Sequence, residues 1–353
     1  MAGKRVVVCE AQVPFVTGGA ELHVRGLVEQ LNRHGFQAER VSVPFAGYPK
    51  RELLSTAATW RLIDLSEANG QPIDLVIATK FPTYFVRHPN KVVWLFHQYR
   101  AIYELAGTPY SEFQHVETDV RLRARMIELD REVLAESRRI FTNAQNTANR
   151  LARYNGLPSQ ALYHPPPLAD RLTPGPSGDY MLSVGRLETV KRVDLAIRAL
   201  AHVPPPTRLV IVGQGPLRPT LEKLADDTGV SDRVTWAGAV TEQQLLDLYA
   251  GALAVVFPPF DEDYGYVTLE GFLCRKPVVT VTDAGGPLEF VDDGVTGLVT
   301  APEPEAMGDA FASLATTPGL AKRLGDAGYE RARAITWDGV IDTLTATLTD
   351  GTR

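Results

Sequence analysis

The chain has 353 residues, which is longer than one ordinary domain and fits two domains of typical size. Hydrophobic residues make up 44% of it and charged residues 22%, and the net charge of −6 offers no global attraction for nucleic acid or an anionic membrane. The first apolar run, which ends at Glu10, is too short for a signal peptide, and no apolar run is long enough to span a bilayer. Cys9 and Cys274 lie in apolar stretches typical of buried, reduced thiols, so we expect a cytoplasmic protein without disulfides or thiolate-bound zinc.

Apolar runs of strand length alternate with segments of helical periodicity along the whole chain, which predicts parallel sheets in an α/β fold. In the first half, the predicted strands are 5–9, 38–43, 75–78, 92–96, 139–142 and 161–163. The predicted helices between them are 20–34, 51–69, 116–136 and 144–155.

A proline-rich segment that begins at His164 and ends near residue 178 interrupts this alternation close to the middle of the chain. Such a composition favours a domain boundary. The alternation then resumes with predicted strands 180–184, 208–212, 234–236, 253–257, 278–281 and 298–300. The accompanying predicted helices are 193–202, 217–228, 242–250, 268–274 and 305–316, followed by a helical run over 320–348 that is broken near Thr336.

The predicted architecture is therefore two Rossmann-like, doubly wound parallel-sheet domains that face each other across a cleft. The N-terminal domain would span residues 1–166 and the C-terminal domain residues 167–335. Residues 336–353 would form a C-terminal helix that crosses back to the first domain.

Three glycine-containing loops follow predicted strands. Gly18 and Gly19 come after the first strand and open a helix, Gly185 ends a later strand, and Gly213 and Gly215 follow the next one. Glycines at such positions let the backbone approach an anion closely, and a helix amino terminus adds unpaired N–H groups. Each loop also fits a simple tight turn. The first loop lacks the third glycine of the dinucleotide fingerprint, and no acid ends the second strand, which argues against a dehydrogenase.

Two cations follow the Gly185 turn at a loop and a helix start, Arg186 and Lys191. A guanidinium binds phosphate with a planar fork and an ammonium acts as a point charge, so together they could neutralise a diphosphate. The alternative is an exposed basic loop in which the cations pair with Glu188.

Two carboxylates, Glu262 and Glu270, have seven residues between them, one in the loop after a predicted strand and one in the helix that follows. Because the strand-to-helix loops of a parallel sheet lie at its carboxyl edge, both acids could face one polyol ligand. The sequence Asp261-Glu262-Asp263 also resembles a DxD metal motif, which would indicate manganese. Positive side chains can neutralise a leaving diphosphate in place of a metal, so we expect no metal and no other cofactor.

His97 ends a predicted strand of the first domain, so its ring should point toward the cleft, although a lone histidine is often structural. The Arg-rich helix after residue 116 interleaves its cations with acids and fits a solvated face. The alternative is a basic patch that contacts the inner membrane face peripherally.

Together these motifs resemble the retaining GT-B glycosyltransferases of family 4, also called glycosyl transferases group 1. The resemblance covers nearly the whole chain, and its specific part is the Glu-x7-Glu element together with Arg186 and Lys191. The loop at Gly285-Gly286 and the turn from Asp293 to Gly297 extend it.

The resemblance implies a role for each motif. Glu270 would hold the ribose hydroxyls of the nucleotide, and Glu262 would contact hydroxyls of the donor sugar. The two cations would bind the diphosphate. The residues that the resemblance assigns to catalysis are His97, Arg186, Lys191 and Glu262. Those assigned to donor binding are Gly18, Gly19, Gly185, Gly213, Gly215, Gly265, Tyr266, Val267 and Glu270.

The chain departs from the family pattern after the first glutamate. The usual Gly-Phe-Gly is Asp263-Tyr264-Gly265 here, so Asp263 adds a negative charge near the sugar unless its side chain points away. The donor could therefore differ from that of common members.

The expected activity is metal-independent, retaining transfer from a nucleotide-diphosphate sugar, with UDP- or GDP-sugars as first choices, to a carbohydrate, lipid-linked or small-molecule hydroxyl. Because no carboxylate nucleophile is evident, we expect the acceptor to enter on the face from which the nucleotide leaves. A nucleotide-sugar epimerase and a non-catalytic nucleotide-sugar sensor are the alternatives. First-domain loops 45–50, 81–88 and 99–114 would bind the acceptor, and their aromatics are either stacking platforms or core: Tyr48, Phe81, Tyr84, Phe85, Tyr99, Tyr103 and Tyr110.

Overall fold

The computed structural model describes residues 3–15, 18–45 and 50–348. Tyr48 and the centre of its loop lie outside the described residues. The chain divides into two compact units, of which the first contains Met1–Pro167 together with Thr336–Arg353 and the second contains Leu168–Ile335. No helix in the described ranges is both long and apolar enough to cross a bilayer.

The strands of the described residues, in chain order, are β1 (Arg5–Gln12), β2 (Gln37–Pro44), β3 (Glu67–Ala68), β4 (Gln71–Pro72), β5 (Leu75–Ala78), β6 (Lys91–Leu95), β7 (Arg139–Thr142), β8 (Gln160–Ala161), β9 (Tyr180–Val184), β10 (Arg208–Val212), β11 (Val234–Gly238), β12 (Ala254–Val256), β13 (Val278–Val281) and β14 (Gly297–Thr300). The α-helices are α1 (Gly19–Arg33), α2 (Glu52–Leu62), α3 (Glu117–Ala135), α4 (Gln145–Asn155), α5 (Val193–Leu200), α6 (Arg218–Asp227), α7 (Glu242–Gly251), α8 (Tyr266–Leu273), α9 (Pro304–Thr316), α10 (Leu320–Ala332) and α11 (Trp337–Thr345).

The first unit has a parallel sheet with the strand order β2-β1-β5-β6-β7-β8. The order reverses between β1 and β5, and in open α/β sheets ligands bind at the carboxyl ends of the strands at such a switch point. Strand β1 is buried on both faces, because Val7 packs into one core cluster and Val6 and Val8 into the other. Burial on both faces explains its continuous apolar sequence.

The C-terminal helix α11 packs within the first unit. Its Val340, Ile341 and Leu344 are buried in the same cluster as Leu27 of α1. The Trp337 ring lies 5.6 Å from that of His164, the residue that precedes the three prolines at the end of this unit's first segment. Apolar burial therefore attaches α11 to the first unit.

The second unit has a parallel sheet with the order β11-β10-β9-β12-β13-β14, which is the doubly wound order of dinucleotide-binding folds. Its switch point lies between β9 and β12. Both sheets confirm the predicted α/β class with two Rossmann-like domains.

One predicted helix is wrong over part of its length. The helical segment predicted over 51–69 ends at Leu62, and β3 pairs antiparallel with β4 beyond it. Asn69 and Gly70 connect the two short strands with positive φ angles of 52° and 71°. Such angles are required by the tight turns that close two-residue hairpins, and Asn-Gly is the sequence that favours them most strongly.

Candidate functional site

In the second unit, the residues predicted to bind the donor follow the strands at the switch point. Gly185, Arg186 and Lys191 come after β9, and Glu262 comes after β12, in a loop that leads into α8. The carboxyl ends of neighbouring parallel strands meet at one edge of the sheet, so the strand order itself brings these two loops to the same place.

The glycines after β9 and β10 let their two loops run in contact. The Gly185 N–H donates to the Val212 carbonyl at 3.0 Å. A Cβ atom at Gly213 would lie 1.8 Å from the Gly185 carbonyl oxygen, and one at Gly215 would lie 2.4 Å from the Leu187 carbonyl oxygen. Gly213 and Gly215 are therefore needed for this backbone packing, whereas a Cβ at Gly185 would meet open space.

Lys191 and Glu262 are brought together by the structure. The Lys191 ammonium donates a hydrogen bond to the Glu262 carboxylate, and the side chains are only 18% and 15% exposed. Lys191 ends a 3-10 turn over Thr189–Lys191, and its Nζ lies 5.6 Å from the centre of the Phe257 ring. A largely buried ammonium that donates to one carboxylate has further N–H donors and can still bind a second anionic group, such as a phosphate oxygen.

Arg186 is placed differently from the other cation. Its side chain is 59% exposed and forms an ion pair of 2.8 Å with Glu188 in its own loop. This is the pairing of the alternative interpretation of the basic loop. An exposed ion pair of this kind contributes little to stability, so the guanidinium can exchange Glu188 for another anion at small cost.

Glu270 lies inside α8 and is 8% exposed. The hydroxyl of buried Tyr249, on α7, donates to its Oε2 at 2.6 Å. Burial raises the pKa of Glu270, and the hydrogen bond from Tyr249 opposes that rise only partly. Burial, and after it the Glu270 carboxylate, raise the pKa of Tyr249 well above its usual value, so the phenol keeps its proton and remains a donor.

Gly265, Tyr266 and Val267 form the amino end of α8. Gly265 is the N-cap residue in the left-handed region, with φ of 80°, and a Cβ there would lie 2.8 Å from the Phe257 ring. The Tyr266 ring packs edge-to-face against Tyr264 with centroids 5.6 Å apart. The Thr268 N–H donates to the Gly265 carbonyl at 3.0 Å. The amino terminus of a helix carries a partial positive charge, which favours an anion.

Arg192 is a site residue that the sequence reasoning missed. Its guanidinium donates to the Pro258 and Pro259 carbonyls at 2.9 and 2.7 Å and binds both carboxylate oxygens of Asp283. The sequence places Arg192 next to Lys191. No local pattern indicates the left-handed backbone that directs its side chain toward the loop over residues 258–263, called the acidic loop here.

In the first unit, the Gly18 N–H donates to Oε2 of Glu21 at 2.9 Å. The other carboxylate oxygen of Glu21 accepts from the Lys80 ammonium, also at 2.9 Å. Burial alone would raise the pKa of Glu21, but the Lys80 ammonium and the backbone N–H groups outweigh burial and lower it. The Glu21 carboxylate is therefore charged, and it accepts the hydrogen bond of the Gly18 N–H in the first glycine loop. Gly19 is the first residue of α1.

His97 follows β6 and is half-buried. Its Nδ1 lies 2.7 Å from the Gln98 carbonyl oxygen, and because a carbonyl can only accept, Nδ1 carries the proton. In the neutral ring, Nε2 is then the acceptor nitrogen.

A buried polar network continues from the neighbour of His97. The Gln98 side chain donates to Asn155 at 2.5 Å, Asn155 donates to the Tyr103 hydroxyl at 3.3 Å, and Tyr103 donates to Asp130 at 2.6 Å. Asp130 is fully buried, which raises the pKa of its carboxyl to about 7 although the hydrogen bonds lower it.

Four of the aromatics expected in acceptor-binding loops belong to the core of the first unit: Phe81, Tyr84, Phe85 and Tyr103 are buried in one cluster. For them the packing alternative is correct. Tyr99 and Tyr110 are half-buried. Within the described residues, no three His, Cys, Asp or Glu side chains are grouped so that they could hold a metal ion.

The sequence of the second unit matches a known family. Residues 171–331 match the model of glycosyl transferases group 1. Similar curated proteins include the D-inositol 3-phosphate glycosyltransferase of Actinosynnema mirum, 32% identical over 244 residues, or 62% of this chain and 58% of that one. The protein of the same name from Mycobacteroides abscessus is 30% identical over 234 residues, or 61% of this chain and 52% of that one. The chain thus spans about half the length of the curated relatives it matches.

Solved structures of glycosyltransferases share the fold of the whole chain. Sucrose-phosphate synthase from Thermosynechococcus elongatus superposes with a TM-score of 0.77 at 18% identity, over 98% of this chain and 99% of that one. Alr3699/HepE of Anabaena, solved in complex with UDP and glucose, gives 0.71 at 18% identity, over 98% and 100% of the two chains. WaaG, a glycosyltransferase involved in lipopolysaccharide biosynthesis, gives 0.71 at 18% identity, over 96% and 99%. Residues 171–331 therefore belong to the glycosyl transferases group 1 family, and the chain has the two-domain GT-B fold that its motifs predicted.

Proposed function

We propose that the chain is a retaining, metal-independent glycosyltransferase of family 4 that moves a sugar from a nucleotide-diphosphate sugar to a hydroxyl acceptor. The observation that carries the proposal is the contact between Lys191 and Glu262 at the switch point of the family-matched domain. The contact brings an ammonium and a carboxylate together at the sheet edge where ligands bind in such folds. In the proposal, the ammonium would bind a phosphate and the carboxylate would bind sugar hydroxyls.

The diphosphate would meet three positive features of the second unit. Lys191 supplies a buried ammonium, Arg186 an exposed guanidinium, and the N–H groups at the start of α8 a helix amino terminus. These features stabilise the charge that develops on the leaving nucleotide, which is the task that a metal performs in other transferases. Glu270, held by Tyr249, would accept hydrogen bonds from the ribose hydroxyls.

The charge on Lys191 also bears on the mechanism. A carboxylate held by an ammonium is a weakened nucleophile, so Glu262 is better suited to accept hydrogen bonds from sugar hydroxyls than to attack the anomeric carbon. In the proposed step the bond from the anomeric carbon to the phosphate oxygen breaks, and the acceptor oxygen bonds to that carbon on the same face. The proton of the acceptor goes to the departing phosphate, and configuration is retained.

The proposed donor is a nucleotide-sugar, and the proposed acceptor carries a hydroxyl group. A fold neighbour was solved with UDP and with UDP-glucose, so a UDP-sugar is the first donor to test and a GDP-sugar the second. In the first unit, Nε2 of His97 could accept a hydrogen bond from a hydroxyl of the transferred sugar. Gly18 and Gly19 would lie close to the donor. The acceptor is a carbohydrate, a lipid-linked sugar or a small polyol, and such acceptors would fit a role in polysaccharide biosynthesis at the inner membrane face.

The proposed location of the protein is the cytoplasm. Two free, buried cysteines fit its reducing conditions.

The proposal is tested by incubating the protein with UDP- and GDP-sugars, with and without a panel of sugar and polyol acceptors, in the presence of EDTA. The expected result is an acceptor-dependent glycoside whose anomeric configuration, read from proton couplings, equals that of the donor. An inverted product would contradict retention, and loss of turnover in EDTA would contradict metal independence. Conversion of a nucleotide-sugar alone into its epimer would replace the proposal with an epimerase.

A further inference from the structure

Arg192 adopts a backbone conformation that is unfavourable for a residue with a side chain. Its φ and ψ are 48° and 43°, in the left-handed region, between the 3-10 turn that ends at Lys191 and the start of α5 at Val193. A non-glycine residue is held there only where its surroundings determine the conformation. The contacts of the Arg192 side chain must therefore stabilise this turn.

The guanidinium makes those contacts with four of its five N–H donors. Nε donates to the Pro258 carbonyl at 2.9 Å and Nη2 to the Pro259 carbonyl at 2.7 Å. Nη1 and Nη2 donate to the two carboxylate oxygens of Asp283 at 3.0 and 2.5 Å. The side chain is only 13% exposed. A planar, bidentate fork of this kind cannot be reproduced by a lysine.

These contacts fasten the loop that carries Glu262. The loop is also bonded to Val190, whose carbonyl accepts from the Phe260 N–H at 2.8 Å. On its other side, the Asp261 N–H donates to the Asp283 carbonyl at 2.9 Å and the Glu262 N–H to the Ala284 carbonyl at 2.7 Å. Arg192 thus joins the turn of Lys191, the acidic loop, and the segment that begins at Asp283.

We propose that Arg192 is a positioning residue of the donor site, which holds Glu262 opposite Lys191 so that the nucleotide-sugar meets a site that is already formed. This inference rests on the proposed function. Lys191 reaches the carboxylate of Glu262, and the next residue holds the backbone that leads to it. Without this clamp, donor binding must order the loop, and the loss of that preorganisation appears as weaker binding.

Two substitutions separate the clamp from the strained backbone. Arg192→Gly removes the guanidinium and relieves the left-handed strain, whereas Arg192→Ala removes the guanidinium and keeps the strain. If the clamp positions the site, both variants lose donor affinity to the same degree relative to the wild type. Arg192→Ala, which keeps the backbone strain, should in addition unfold at a lower temperature than Arg192→Gly. Arg208→Ala is the matched control, because it removes another Arg–Asp ion pair of the same unit, with Asp179 at 2.6 Å.

The experiment measures UDP-sugar and GDP-sugar binding by calorimetry without acceptor, kcat and KM for the donor, and amide hydrogen exchange of Phe260, Asp261 and Glu262. For Arg192→Gly we expect binding weakened about 10-fold or more, mainly as a rise in KM, and faster exchange of this loop. Arg208→Ala should match the wild type in all three. Wild-type affinity and loop exchange in Arg192→Gly would overturn the positioning role and leave the proposed function intact. Failure of the wild type to bind either nucleotide-sugar, or to turn over any of them, would overturn both.

Discussion

The buried carboxyl of Asp130 makes the stability of the first unit depend on pH in a way that one substitution should remove. Asp130 is fully buried and its pKa is raised from 3.8 to about 7. The folded state therefore favours the protonated acid, and the corresponding stability is complete below pH 4 and is lost as the pH rises from about 4 to 7. A shift of about three units corresponds to about 4 kcal/mol.

Asp130→Asn keeps an oxygen that can accept from Tyr103 and carries no charge. Its free energy of unfolding should equal that of the wild type near pH 4 and exceed it by up to about 4 kcal/mol at pH 8. For a domain of this size the gap corresponds to a rise in Tm of roughly 2–4 °C per kcal/mol.

Thermal unfolding of both proteins is followed by circular dichroism between pH 4 and pH 8. Only the difference between the variant and the wild type is informative, because His23 and His164 act in the opposite direction. Burial lowers the pKa of both rings, that of His164 to about 3, so their contribution is present above pH 6.5 and is lost as the pH falls. Glu132→Gln, an exposed acid on the same helix, is the control. A gap that stays constant over this range would refute the reasoning, as would a wild type that is the more stable protein at pH 8.

Three further predictions concern packing. Gly213→Ala should lower the free energy of unfolding of the second unit by at least about 3 kcal/mol in urea, because its Cβ would clash with a carbonyl oxygen. The Cβ of the control, Gly294→Ala, meets open space, so it should lose only about 1–2 kcal/mol through its left-handed backbone. Equal losses in the two variants would contradict this. Trp337→Ala should destabilise the first unit by about 2–3 kcal/mol, since half-buried Trp337 packs on two histidines and a tryptophan, and an unchanged urea midpoint would contradict that packing. Burial raises the pKa of the Cys9 thiol, and raises that of Cys274 to about 12, so iodoacetamide at pH 8 should label neither in the folded protein and both after unfolding; labelling of the folded protein would contradict their burial.

The fold could be predicted because its signals are local. Val6, Val7 and Val8 form a continuous apolar run because β1 is buried on both faces, and the same holds for the central strands of the second sheet. The error over 63–69 has the opposite cause. There the Asn69-Gly70 turn, rather than hydrophobic periodicity, determines the structure, and a helical pattern search does not detect a two-residue hairpin.

The candidate site was predictable as a set of residue types and less so as a set of contacts. Strand ends place Lys191 and Glu262 at one edge, and the structure joins them. The pair of Arg186 with Glu188 is local, and the sequence offers it as the alternative to diphosphate binding. The partner of Glu270 is Tyr249 from another helix, and such a partner depends on the packing of α7 against α8. The left-handed turn of Arg192 is equally invisible to sequence periodicity.

Lys191 binds the leaving diphosphate in the proposed reaction, and the rate at which nucleoside diphosphate is released from the nucleotide-sugar measures that role. We expect Lys191→Ala to lower kcat about 10²–10³-fold while the protein stays folded, because one charged donor to a developing oxyanion is lost. The exposed Lys322, paired with Asp326 on α10, is the matched control, and Lys322→Ala should keep the wild-type rate. A Lys191→Ala enzyme that releases the nucleotide within about threefold of the wild-type rate would show that Lys191 does not stabilise the leaving diphosphate.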